Sequence, residues 1–196
     1  REYVYKYRKY RNRRKIMVPV WSRHFLYYDI FQNFCRKRTI KKSSQVKMVK
    51  GICAFDIDQT LTCGRESCNL EQQHEMVKAI NYCRKNDMEV VINTARPPQS
   101  EPLHSIPTLV NNLLTDVEVR LRPAKTKISV PEYKHMHMVD LAKKYKVPLK
   151  NTILIDDLLE TCDTVNKNGG NSIHVKNEKG ITSSEYRKLQ EMIRKM

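Results

Sequence analysis

The sequence predicts an α/β fold, a Rossmann-like parallel sheet with helices on both faces. Three observations lead there. From residue 49 onward, short apolar runs alternate with stretches of helical spacing, the pattern that builds parallel sheets. The runs are almost continuously apolar, as expected of strands buried on both faces. Two of them end in carboxylates, and ligands of such sheets bind at the carboxyl ends of the strands.

The elements follow in order. GICAFDI (51–57) reads as the first buried strand, and TCGRESCN (62–69) as loop. Residues 71–86 place Met76, Ala79, Ile80 and Cys83 on one helical face. MEVVINTA (88–95) is a second strand, and RPPQSEP (96–102) must be loop because of its prolines. Residues 107–115 carry Leu109, Val110, Leu113 and Leu114 at helical spacing, and VEVRL (117–121) is a short strand. A helix over 130–145 accepts Pro131 in its first turn, where no backbone donor is needed. NTILIDD (151–157) is a strong buried strand, and a helix over 158–170 ends at Gly169 and Gly170. NSIHVK (171–176) is the last strand, and Thr182 with Glu185 forms the capping box of a final helix.

Charge divides the 196 residues into two parts. Residues 1–50 hold 16 Lys/Arg against 2 Asp/Glu, whereas residues 51–196 hold 21 against 19. The net charge of +16 therefore belongs almost wholly to an N-terminal arm, residues 1–48, followed by the globular domain, 49–196. In the arm, Tyr3, Tyr5, Tyr7 and Tyr10 interleave with cations from Lys6 to Lys15. Phe25, Tyr28, Ile30 and Phe31 fit a short amphipathic helix, and KKSSQ (41–45) reads as a linker. Ten of the 15 aromatic residues precede residue 35, which argues for docking on the core or on a partner; the cations suit an anionic partner, where they meet phosphates and aromatics stack on bases. Basic runs in the arm also suit a nuclear address or a nucleoprotein assembly.

Other classes are excluded or disfavoured. No apolar stretch approaches 18 residues, so no membrane span is expected, and no GxxxxGK segment provides a P-loop. The six cysteines, Cys35, Cys53, Cys63, Cys68, Cys83 and Cys162, form no CxxC pair. They predict free thiols in a reducing, intracellular compartment rather than a disulfide framework. Cys63 and Cys68 resemble half of a zinc site whose second half is missing. Beginning at Arg1 rather than Met, the chain reads as a fragment or a processed product.

The chemistry concentrates at two strand ends. Asp56 and Asp58 follow the first strand, and Asp156 and Asp157 close the fourth. Carboxylates gathered in a semi-buried site repel one another and need a cation or a shared proton. Magnesium, a hard ion that takes carboxylates together with phosphate oxygens, suits them.

Asp56-Ile57-Asp58-Gln59-Thr60 after an apolar strand resembles the first motif of haloacid dehalogenase-type (HAD) hydrolases. Thr94, closing the second strand, resembles the second motif, and ILIDD (153–157) the fourth. For the third motif, a lysine about two dozen residues before the final acids, Lys134 matches best, with Lys125 and Lys127 as alternatives. The resemblance spans residues 50–176 and implies a phosphatase. Asp56 would be the nucleophile that forms an aspartyl-phosphate, and Asp58 the general acid and then base. Thr94 would hydrogen-bond the phosphoryl group, and Lys134 would offset its charge. Magnesium would be held by Asp56, by Asp58 through its backbone carbonyl, and by Asp157. Asp156 stands where many members have glycine, and either Glu160 or Asp163 would complete the site. Without the resemblance, His135 and His137 are ordinary helix residues, and Arg96 is solvated or supports the site. Arg65 and Glu66 fall in the loop nearest a substrate.

The spacing leaves minimal or no room for a cap. About a dozen residues separate Asp58 from the helix near 71, and 39 separate Thr94 from Lys134, most of them used by the core. An open site predicts a phosphate presented on a macromolecule, a phosphoprotein or a nucleic-acid end. The alternative is a structural, nucleoprotein or capsid-associated scaffold that keeps the fold and binds anionic partners through its arm.

Overall fold

The structure, a computed structural model, describes residues 48–64, 67–98 and 103–196. The arm, its expected helix and linker, and Arg65 and Glu66 lie outside the described residues. Five parallel strands form one sheet in the order β3-β2-β1-β4-β5: β1 Gly51–Phe55, β2 Met88–Thr94, β3 Glu118–Leu121, β4 Thr152–Asp156 and β5 Asn171–His174. The helices are α1 Leu70–Lys85, α2 Thr108–Asn111, α3 Val130–Tyr145, α4 Leu159–Lys167 and α5 Ser183–Lys195.

Strand alternation assigns the two faces. On β1, Cys53 and Phe55 join a core with Met76 and Ile80 of α1 and Leu189 and Ile193 of α5. Ile52 and Ala54 point the other way, into a core with Met138 and Leu141 of α3 and Val165 of α4. Helices thus cover both faces, as the uninterrupted apolar runs require.

Among the described residues, each of the three longest helices starts with a reciprocal capping box: Asn69 with Gln72, Ser129 with Glu132, and Thr182 with Glu185. Each box satisfies two of the donors a helix N-terminus leaves open. The segment expected to be helical over 107–115 keeps α-helical form only over α2. Pro107 offers no side-chain acceptor at its start, and Leu113 and Leu114 donate to carbonyls three residues back, a tighter turn. Helix α4 stops as expected, with Gly169 at φ +85°.

The cysteine reading needs one correction. Cys63 and Cys68 form a disulfide, with Cα atoms 5.1 Å apart, that closes the loop between β1 and α1. Gly64, at φ +51°, turns the chain so that a separation of five residues brings the two sulfurs together. This pair is bridged, neither free thiols nor half a zinc site. Cys53, Cys83 and Cys162 are free and buried. Among the described residues, no helix is long and apolar enough to cross a membrane.

Candidate active site

The site lies where β1 and β4, adjacent and parallel, both end in acids. Asp56 follows β1 directly, and its N–H donates to Ile155 O at 2.9 Å, continuing the ladder by one step. The chain then turns tightly. Ile57 O accepts from the N–H groups of Thr60, Leu61 and Thr62 and from Thr62 Oγ1, while Gln59 adopts φ +53°. The turn separates the two acids of the first motif. Asp56 is 3% exposed, whereas the Asp58 side chain is 54% exposed.

Asp56, Asp156 and Asp157 bring ligand oxygens within 4.8 Å of one another. Lys134, 1% exposed near the start of α3, reaches into this cluster. Its Nζ donates to Asp156 Oδ2 at 2.6 Å and lies 3.0 Å from Asp56 Oδ1. The other Asp156 oxygen accepts from Leu158 N at 3.0 Å. Val175 N, just after β5, donates to Asp156 O, and His174 Nε2 at the end of β5 is 2.9 Å from Asp157 O, which fixes the turn after β4.

The electrostatics follow from burial and charge count. Burial pushes Asp56 up to about 7; the Lys134 ammonium opposes that shift and the Asp156 carboxylate adds to it. Burial alone would lower the Lys134 ammonium, but Asp56 and Asp156 outweigh it and hold it above its ordinary value. Asp157 is raised by burial and by Asp156. One cation for three carboxylates leaves the cluster short of positive charge. Asp56 Oδ1 also lacks a hydrogen-bond partner despite its ion pair, because the geometry to Lys134 is not that of a hydrogen bond. An orphaned, buried carboxylate oxygen beside two further acids fits a hard divalent ion.

The other sequence-predicted residues fall into two groups. Thr94 is buried at the end of β2, and its Oγ1 accepts from Arg96 N at 3.3 Å. Lys125 and Lys127 are exposed, so Lys134 is the lysine that meets the acids. Glu160 and Asp163 are exposed and outside the cluster. The Asp58 carboxylate is outside it too: Arg96 grips it through Nε, 3.0 Å from Oδ2, and through Nη2 on Oδ1. A cleft of about 550 Å³ opens beside this pair, lined also by Thr62, Ser67, Gln73 and Thr108.

Sequence reading missed Asn93. Its Nδ2 donates to Lys134 O at 3.1 Å, and its Oδ1 faces His137 Nδ1 at 2.8 Å. Both side chains are buried, and burial, helped by Arg120, pulls His137 down to about 4. The signal was one amide inside an apolar strand, VVINT; its partners lie 41 and 44 residues away.

No family model matches the sequence, and no curated protein matches it significantly. Solved structures do share its fold. An uncharacterized Corynebacterium glutamicum protein is similar over 74% of this chain and 95% of its own length, at 15% identity and a TM-score of 0.53. A Mesorhizobium loti protein assigned as a HAD-like phosphatase is similar over 75% of this chain and 87% of its own, at 15% identity and a TM-score of 0.51. The sheet order, the acids at the ends of β1 and β4 and these likenesses agree: the described residues have the haloacid dehalogenase-like fold.

Proposed function

We propose that this domain is a magnesium-dependent phosphomonoester hydrolase that works through an aspartyl-phosphate on Asp56. The observation that carries the reading is Asp56 itself: buried, in a cluster with Asp156 and Asp157, with one oxygen lacking a hydrogen bond beside Lys134. Asp56, Asp157 and Asp156 would hold the ion, which when bound would neutralise phosphate and carboxylate charge. An Asp56 oxygen attacks phosphorus, and the bond from phosphorus to the leaving oxygen breaks. Asp58 gives that oxygen a proton and then takes one from the water that attacks the aspartyl-phosphate, releasing phosphate and restoring Asp56. Lys134 offsets the charge on the transferring group, and Thr94 donates a hydrogen bond to it.

The substrate in this reading is a phosphate carried on a macromolecule. The short connections support it: 14 residues join β1 to α1, and 23 join β2 to β3, where the described residues form only the four-residue α2. The basic, aromatic-rich residues 1–48 would supply contact to an anionic partner.

The test is phosphate release from a simple aryl phosphate, with and without magnesium, for the wild type and Asp56→Asn. Magnesium-dependent release that disappears in a folded Asp56→Asn protein is expected. Release that persists in the variant would remove Asp56 as nucleophile, and the reading with it.

A further inference from the structure

The ion pair between Asp58 and Arg96 has no part in the chemistry described above, yet it occupies both oxygens of the proposed general acid. Arg96 Nε is 3.0 Å from Oδ2, Nη2 meets Oδ1, and Nη1 donates to Ser105 Oγ at 2.7 Å. A carboxyl group that delivers a proton to a leaving oxygen needs an oxygen turned toward it. The fork holds the Asp58 carboxyl turned toward Arg96, and loosening either bond leaves that carboxyl freer to turn toward a leaving oxygen.

We propose that Arg96 selects the substrate: it takes a second anionic group on the leaving-group side of the scissile phosphate, and this exchange frees Asp58. The inference rests on the phosphatase reading and names the substrate class of the same site, a phosphomonoester whose leaving group bears a phosphate or carboxylate.

Four observations support it. The pair faces the cleft of about 550 Å³, with side-chain exposures of 21% for Arg96 and 54% for Asp58. More than half of the Asp58 side chain is exposed, so water screens its pair with Arg96 and a ligand anion can compete for the guanidinium. Among the described residues lining the cleft, Asp58 is the only carboxylate, and it is a group that an incoming anion has to displace from Arg96. Finally, Arg96 is anchored at its backbone, with its carbonyl accepting from Arg122 N at 3.2 Å, while its planar fork matches phosphate or carboxylate oxygens as well as it matches Asp58.

The experiment uses three aryl phosphates with one scissile bond each: 4-carbamoylphenyl, 4-carboxyphenyl and 4-phosphonophenyl phosphate. The readout is the ratio of kcat/KM for each anionic substrate to the neutral one, in wild type and in Arg96→Gln. Intrinsic differences between leaving groups cancel when the two proteins are compared. The expected wild-type ratio exceeds that of Arg96→Gln by about tenfold or more, the scale of one charge-assisted hydrogen-bonded pair. The arm with the larger ratio tells carboxylate from phosphate. A purely structural role for Arg96 would lower all three rates by one factor and leave the ratios unchanged, which would overturn the proposal. Calorimetric binding of the same compounds to Asp56→Asn, with and without Arg96→Gln, separates the two readings. Loss of the binding preference with Arg96→Gln, in a protein whose wild type turns over none of the three, would sink the hydrolase and keep the anion site. Equal binding of all three would sink the anion site.

Discussion

Lys134 Nζ donates to Asp156 Oδ2 at 2.6 Å, joining the start of α3 to the end of β4 inside a pocket where neither side chain is more than 1% exposed. Among the described residues, the same ammonium is the only cation in an ion pair with Asp56. One buried lysine thus holds together two strand-end acids from adjacent strands.

Removing that cation should cost both stability and turnover. Lys134→Met leaves Asp56 and Asp156 buried without a counter-charge, a loss on the scale of about 3–5 kcal/mol measured for broken buried pairs. Denaturant unfolding at neutral pH reads it, and added magnesium should restore part of the loss by replacing the missing charge. Turnover should fall by about 10²–10³-fold, as when one electrostatic donor is deleted from an active site. A variant as stable as the wild type without metal would show that Lys134 does not compensate the acids.

His137 should make stability fall as the solution is acidified. Burial, with help from Arg120, pulls it down to about 4 in the folded protein, against an ordinary value near 6.5. Between about pH 6.5 and 4 the unfolded chain binds a proton there that the folded chain refuses, so stability drops through that window, by up to about 3 kcal/mol, and levels off below it. Asp56, raised to about 7, acts in the opposite sense without metal, since the folded state then holds the extra proton. The readout is therefore the difference between the wild-type and His137→Gln profiles, which should widen in favour of the variant toward pH 4. Parallel profiles would contradict a buried, neutral His137.

The Cys63–Cys68 disulfide closes a short loop that also lines the cleft. Limiting the unfolded chain in this way stabilises the domain by about 2 kcal/mol on the loop-entropy relation. Cys63→Ser should lower the midpoint of unfolding accordingly, and a dithiol reductant should bring the wild type down to the same value while leaving the variant unmoved. A wild-type midpoint indifferent to reductant would show that the bridge does not contribute.

The sequence alone determined the five strands, their parallel arrangement and the acids at the ends of β1 and β4. These depend on local properties: apolar run length, helical spacing, capping residues such as Thr182 and Glu185, and strand ends whose neighbours in sequence are their neighbours in space. The choice of Lys134 over Lys125 and Lys127 was only a best spacing match; the fold buries Lys134 beside Asp56 and Asp156 and leaves the other two exposed. The tertiary structure alone decided three further matters. It sent Asp56 and Asp58 to different surroundings, because a turn with Gln59 at positive φ ends the alternation that would have kept them on one face. It paired Asp58 with Arg96, 38 residues away, and Asn93 with Lys134 and His137, 41 and 44 away. It closed Cys63 on Cys68. Pairings of this kind arise from parallel crossovers and turn geometry, which bring distant side chains together and leave no periodic trace in the chain.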